Sequence, residues 1–372
     1  MQSIIKKIIE DERKERDTDQ EQIQPNYIYK QNNVDLELEE ILNRSTARIK
    51  CAGIGGAGNN AISRLFEMGL DGVTTLAVNT DAKDLLYTSA DEKFLIGKRL
   101  TGGLGAGNNP EIGQAAALES ADEIRNIINV DMLFVTCGLG GGTGTGASHV
   151  LAEIAKDLGA LIVTICTLPF QVEGLKKKQN AIWGLERLSQ VSDTIIVIPN
   201  EKLLDIAPDL SLAESFAVVD EILIRGVKGV TDLITRPGLV NVDFADVRTT
   251  LLESGEALIG LGESQNPEEA ALNALNNPLL DLDIYNARGA LINVMGNCNM
   301  SLQDTKTVIN TITEELNPET EIIWGALIDP ELKNTIRVTT LISGIKSNNL
   351  FEPANQKSLK NQAFDLGLPK FG

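Results

Sequence analysis

Five glycines stand in the seven positions from Gly140 to Gly146, with Thr143 and Thr145 between them. Glycine lets the backbone take positive φ and approach a ligand closely. The threonine hydroxyls can add hydrogen bonds. Residues 130–136 before this stretch form a short apolar run that reads as a buried parallel strand. Residues 147–158 after it read as a helix. Strand, glycine-rich loop and helix in that order present backbone N–H groups and a positive helix end to an anion. A turn that merely needs glycine would use one or two. The density here predicts a phosphate-binding loop. The pattern GxxxxGK[ST] occurs nowhere in the chain, so the loop is of another kind.

The elements around this loop repeat its logic. Residues 47–53 read as a strand running into Gly53, Gly55 and Gly58, spaced as GxGxxG, and a helix over 61–68. A second strand over 73–78 ends in Asn79-Thr80-Asp81, where a dinucleotide-binding protein would hold a ribose with an acid. An NAD-dependent oxidoreductase is therefore one reading. It needs a catalytic acid or base that the sequence does not show. A third glycine-rich loop occupies 100–110, and Pro110 suits the first turn of a helix over 111–128. A dinucleotide has two phosphates and normally uses one such loop. Three loops converging on the carboxyl edge of a parallel sheet imply a triphosphate.

Strands are also predicted over 160–168 and 193–198, the latter closed by Pro199-Asn200. A long helix over 211–233 carries Leu212, Phe216, Val219, Leu223, Val227 and Val230. Its apolar residues spread round the axis, which predicts burial between two domains. A second domain follows, with strands over 257–261, 289–295, 321–326 and 335–342. Helices fit 268–275 and 301–316, with Ser301 and Asp304 placed to cap the second. The class is α/β.

The chain has 372 residues, enough for two cores, and a net charge of −19. That charge disfavours nucleic-acid backbone binding, which needs a basic face. The apolar run 160–170 is too short to cross a bilayer, and no secretory leader is read at the N-terminus. Cys51, Cys137, Cys166 and Cys298 form no CxxC; three of them lie in predicted strands or at their ends and read as small core residues, which fits a reducing cytoplasm. His149 is the only histidine, which disfavours a His-based zinc site or a Ser-His-Asp triad. Residues 1–46 form a charged extension, read as a short helix on a loosely docked segment. Residues 347–372 read as a flexible tail ending in a short apolar motif, Phe364 to Phe371.

The run GGGTGTG at 140–146, with Gly55 to Asn60, Asn79-Thr80-Asp81, Gly103 to Pro110, Thr167 to Phe170, Ile198 to Lys202 and Asn241 to Val247, resembles the tubulin and FtsZ family of cell-division GTPases over residues 47–346. The N-terminal extension looks more like an archaeal member than a bacterial one. The resemblance implies a tubulin/FtsZ-like fold: a Rossmann-like parallel-sheet GTP-binding domain (47–210), a long central helix (211–235) and a smaller α+β C-terminal, GTPase-activating domain (236–346). It implies GTP and GDP as ligands, Mg²⁺ held mainly by phosphates and water, and head-to-tail homopolymers in which the next subunit completes the active site. A cytoplasmic place in the mid-cell division ring and a membrane-anchoring adaptor on the tail are implied too. A tubulin-like filament with a different job, such as shape control, remains open.

Residue by residue, the resemblance assigns nucleotide contacts to Gly55, Gly56, Ala57, Gly58, Asn59, Asn60, Asn79, Asp81, Ala106, Gly107, Gly141, Gly142, Thr143, Gly144 and Thr145. Glu173 would meet the ribose, and Phe216 would lie on the guanine. Lys177 stands where the family usually has Arg, which keeps the charge and loses the bidentate fork. Asp220 could accept from guanine N1–H and the exocyclic amine, a pair that adenine lacks. Asn108 and His149 are further departures, and His149 reads as a helix-start residue with no catalytic part. Asn241, Asp243 and Asp246 would be catalytic, entering the neighbour's pocket and orienting the attacking water. Asp243 and Asp246 also have the i, i+3 spacing of a helix-capping pair, and the two roles are compatible.

Overall fold

The computed structural model describes residues 47–202, 212–275 and 284–345. The expected N-terminal extension and tail motif lie outside them. The described strands form one sheet in the order β3-β2-β1-β4-β5-β6-β7-β10-β8-β9. Strands β1 (Ile49–Ile54), β2 (Val73–Asn79), β3 (Glu92–Leu95), β4 (Met132–Gly138), β5 (Leu161–Leu168) and β6 (Thr194–Pro199) are parallel. Every residue of β1 is buried, as expected of a parallel strand covered on both faces. Strand order reverses between β1 and β4, and open α/β sheets bind ligands at such a switch point.

The second half is joined through β7 (Gly255–Ser264), which pairs with β6 over only two residues. Antiparallel β10 (Ile336–Ser343) then lies between β7 and β8 (Gly289–Gly296), and β9 (Glu321–Ile328) closes the edge.

On one face, helices α4 (Pro110–Glu119), α5 (Ala121–Ile127), α6 (Thr143–Asp157) and α7 (Leu175–Val191) cover the parallel strands. They follow α1 (Gly55–Met68), α2 (Ala82–Tyr87) and the short α3 (Lys98–Thr101) in the chain. The other face is covered by α1 and the long α8 (Leu212–Thr235). Leu223, Ile224, Val227, Val230 and Leu233 of α8 are at most 4% exposed and share one core with strands of both halves. Each such side chain contributes about 1.5–3 kcal/mol by burial, so α8 joins the halves as its pattern predicts. Beyond it lie α9 (Phe244–Leu251), α10 (Pro267–Leu275) and α11 (Leu302–Glu314). Ser301 and Asp304 cap α11 reciprocally, as expected.

Three local expectations are corrected. Helices α1 and α6 begin at Gly55 and Thr143, inside the glycine-rich runs, where low helix propensity predicts loop. Tertiary contact overrides it, because the first turns of α1 and α6 pack on each other: a Cβ on Gly55, whose φ is +73°, would stand 2.6 Å from Gly144 N. The third glycine-rich loop follows α3 and not a strand. The helix expected over 111–128 breaks at Ser120, whose Oγ accepts from Gly97 N at 3.1 Å.

Candidate functional site

A cavity of about 430 Å³ opens at the carboxyl ends of β1, β4 and β5, between α1, α6, α7 and α8. Of the predicted residues, Gly56, Ala57, Asn60, Gly141, Gly142, Thr143, Gly144, Glu173, Lys177 and Asp220 line it. Two helix N-termini, those of α1 and α6, therefore point their unpaired N–H groups and positive ends at one space. Gly141 has an ordinary negative φ, and a Cβ there would meet nothing within 4 Å. Neither packing nor a positive φ calls for glycine at this position, which lines the cavity.

The other predicted residues stand around this wall. Gly55 and Gly58 shape the turn into α1, and Gly58 packs on the Thr136 carbonyl. Thr145 Oγ1 accepts from Gly140 N at 2.8 Å and holds the loop. Asn79 is buried and donates to Asp84 Oδ2 at 2.6 Å, and Asn59 donates to the same oxygen at 3.2 Å. Asp81 caps α2, accepting from Lys83 N and Asp84 N. Ala106 packs on Gly142, and Gly107 is exposed beside it. Phe216 lies on α8, but its side chain falls outside the described residues. His149 is not at a helix start: it sits in the second turn of α6, 6% exposed, edge-on to Trp183 at 5.6 Å. Burial holds its imidazole down to about 4.

The charged groups on the wall are paired. Lys177 Nζ meets Glu173 Oε2 at 2.8 Å, and Glu173 Oε1 accepts from Phe170 N. Asp220 Oδ2 lies 3.6 Å from Arg64 Nε. Burial pushes the Asp220 carboxyl up to about 6, against the pull of Arg64. Sequence reasoning passed over Thr136 and Asn200. Both line the cavity, both are at most 4% exposed, and Thr136 Oγ1 and Asn200 Oδ1 have no hydrogen-bond partner in the protein. An orphaned buried oxygen is costly unless something fills the cavity beside it. A single Thr at a strand end carries no such signal in sequence, whereas Asn200 lies in the family-like stretch 198–202, which could have pointed to it.

Asn241, Asp243 and Asp246 are all exposed and are elsewhere. Asn241 Oδ1 accepts from Gly238 N at 2.7 Å. Asp243 occupies the N-cap of α9, but its side chain makes no capping bond, so that half of the capping expectation fails. Helix α9 docks at the amino ends of the parallel strands. Arg248 donates to the Gly159 carbonyl, just before β5, and Thr194, which opens β6, donates to Leu251 O. The cavity is lined by Thr167 at the far end of β5. Eight residues of strand separate those levels by about 26 Å, while α9 itself is only about 12 Å long. The acidic set therefore cannot reach the cavity of its own chain.

Among the described residues no three His, Cys, Asp or Glu side chains converge as a metal cage, and no helix is long and apolar enough to cross a membrane.

Comparison with known proteins accords with this geometry. Residues 48–208 match the family model described as "Tubulin/FtsZ family, GTPase domain", and residues 255–346 match "FtsZ family, C-terminal domain". The chain is 53% identical over 322 residues to the cell division protein FtsZ of Methanothermobacter thermautotrophicus, covering 86% of this chain and 84% of that one. It is 52% identical over 341 residues to FtsZ 1 of Methanocaldococcus jannaschii, covering 90% and 93%. A solved, empty FtsZ dimer from M. jannaschii superposes with TM-score 0.80 at 48% identity, over 92% of this chain and 100% of that one. CetZ1 from Haloferax volcanii shares the fold, with TM-score 0.71 at 23% identity, over 81% and 95%. The chain belongs to the tubulin/FtsZ family, and residues 48–208 are its GTPase domain.

Proposed function

We propose that the protein is a polymerising GTPase of cell division whose active site is completed by the acidic segment of the next copy. The observation that carries this reading is the placement of the cavity and of Asn241, Asp243 and Asp246 at opposite ends of one sheet. Head-to-tail stacking brings the two together and repeats without limit, because a heterologous contact that does not close makes a filament.

In this reading the N-termini of α1 and α6 hold the phosphates through backbone N–H groups. Lys177 leaves Glu173 for a phosphate oxygen, which frees the Glu173 carboxylate for the ribose. Asp220, as carboxylate, accepts from guanine N1–H and the exocyclic amine. Asp243 and Asp246 of the neighbour orient the attacking water and accept its proton. Mg²⁺ would enter with the nucleotide, carried by phosphates and water, where it neutralises charge on the transferred group. The printed names of the relatives support a role in division, and a dimer among the solved structures supports self-association. A cytoplasmic mid-cell ring and an adaptor bound to the tail complete the proposal.

The test is GTP hydrolysis against protein concentration, with sedimentation of the same samples. Specific activity should be near zero below a critical concentration and rise with pelletable polymer. Activity that is flat with concentration, without polymer, would return Asp243 and Asp246 to a structural role.

A further inference from the structure

Side chains alternate between the two faces along β4. Met132 and Phe134 share a core with α8, whereas Leu133, Val135 and Cys137 share one with α6. Thr136 has the parity of Met132 and Phe134, so its side chain faces α8. Its neighbours in register are Gly53 on β1, which has no side chain, and Ile165 on β5, which is apolar. Neither side chain can hydrogen-bond the hydroxyl. Thr136 is 1% exposed, and its Oγ1 has no partner in the protein. The residue lines the cavity, and Leu223 lines it from α8, one turn beyond Asp220. Asp220 is tied to α1 through Arg64, and Gly58, in the first turn of α1, packs on the Thr136 carbonyl. The orphaned hydroxyl and the carboxylate thus border the same side of the cavity. Asn200, the other orphan there, follows β6, two strands across from β4, or about 10 Å away.

We propose that Thr136 is a specificity-determining residue that accepts a hydrogen bond from the exocyclic amine of guanine, so that the site separates guanine from hypoxanthine nucleotides. This role rests on the guanine reading above, in which Asp220 holds the base. Guanine has three N–H groups on the edge that meets Asp220, one at N1 and two on the amine. A carboxylate in the plane of the base takes the N1 proton and one amine proton. The second amine N–H is then a donor inside the cavity wall, and a buried donor without an acceptor is costly. Thr136 Oγ1 is an acceptor without a donor, and a hydroxyl oxygen has two lone pairs to offer. Hypoxanthine keeps N1–H and lacks the amine. It meets Asp220 in part and leaves Thr136 unpaired.

The test is titration of the full chain with GDP and with inosine diphosphate (IDP). Wild type is compared with Thr136→Val, which keeps shape and removes the hydroxyl, and with Thr136→Ser, which keeps the hydroxyl. Wild type should bind GDP more tightly than IDP. Thr136→Val should lower GDP affinity about tenfold and IDP affinity less than about twofold, the difference expected of one buried hydrogen bond. Thr136→Ser should stay within about threefold of wild type for both, on the same scale. Without nucleotide, the thermal midpoint of Thr136→Val should not fall, because the hydroxyl it removes bonds nothing in the protein. Equal weakening of GDP and IDP would place the hydroxyl on another part of the nucleotide and overturn the proposal. So would a GDP affinity unchanged in Thr136→Val, or a lowered midpoint, which would reveal a partner within the protein. Wild-type protein that binds neither nucleotide would refute the guanine site itself, whereas the other contrary outcomes leave that site standing and strike Thr136 alone.

Discussion

The two ends of the parallel sheet are built in opposite ways. At the carboxyl edge, backbone is packed so closely that Gly55 and Gly144 exclude any side chain, and Lys177, Glu173, Asp220 and Arg64 are already paired. At the amino edge, Asn241, Asp243 and Asp246 are exposed, and Asp243 caps nothing with its side chain. The first end is preorganised to receive a polyanion. The second carries exposed acceptors. In the proposed reading, binding and catalysis are divided between these ends, so the site works only when two copies meet and its rate reports assembly.

The largest effect that separates the two ends is expected from Asp243→Ala. Removing a water-orienting carboxylate should lower GTP turnover about a hundredfold or more, with GTP affinity and thermal midpoint unchanged. Loss of GTP binding in that variant would place Asp243 at its own cavity and erase the distinction. Next in size is Asp220→Ala, which should weaken guanine nucleotides by about ten- to a hundredfold, the range for bonds to a charged group, and abolish discrimination against ATP. An intact GTP-over-ATP preference would remove Asp220 from the base site.

The same carboxyl gives a pH dependence with a definite sign. Burial raises its pKa to about 6, and the proposed guanine contact needs the ionised form. GDP affinity should therefore fall as pH drops through about 6, approaching tenfold per unit. Folding stability from this group runs the other way: the folded state holds the proton more tightly than the unfolded chain, so that contribution is present below the ordinary carboxyl value and lost as pH rises through about 6. A GDP titration flat from pH 7 to 5 would contradict the assignment.

The smallest contrast lies within the cavity wall. Gly141→Ala adds a methyl that meets no protein atom, so nucleotide affinity should fall several-fold with the midpoint unchanged. Gly142→Ala places a Cβ 2.8 Å from Ala106 Cβ and 3.0 Å from Asn109 N, so it should cost about 1–3 kcal/mol of stability. Both are read by isothermal titration and thermal unfolding, and equal stability losses would show that Gly141 is there for packing.

The parallel core was legible because buried strands such as β4 and β5 are near-continuous apolar runs and glycine-rich segments follow β1 and β4. Of the α8 pattern, Leu223, Val227 and Val230 are buried in a core that strands of both halves share. The starts of α1 and α6 were not legible, since Gly55 and Thr143 initiate helices through the contact between α1 and α6, which propensity does not encode, whereas Pro110 and Ser301 marked the starts of α4 and α11. Thr136 and Asn200 were given no contact of their own for a related reason: each is an ordinary polar residue whose meaning comes from the cavity beside it. The separation of Asp243 from the cavity is a property of topology. It becomes visible only once α9 is seen beneath Gly159 and Thr194.

Mixing two inactive variants tests the shared site most directly. Asp243→Ala keeps a complete cavity and lacks the acidic group, and Asp220→Ala keeps the acidic group and lacks the base contact. Combined in equal amounts with GTP, they should hydrolyse it well above the sum of their separate rates, because one copy's acidic segment serves the other's cavity. A mixture no faster than that sum, at concentrations where wild-type protein is active, would contradict a site built from two chains.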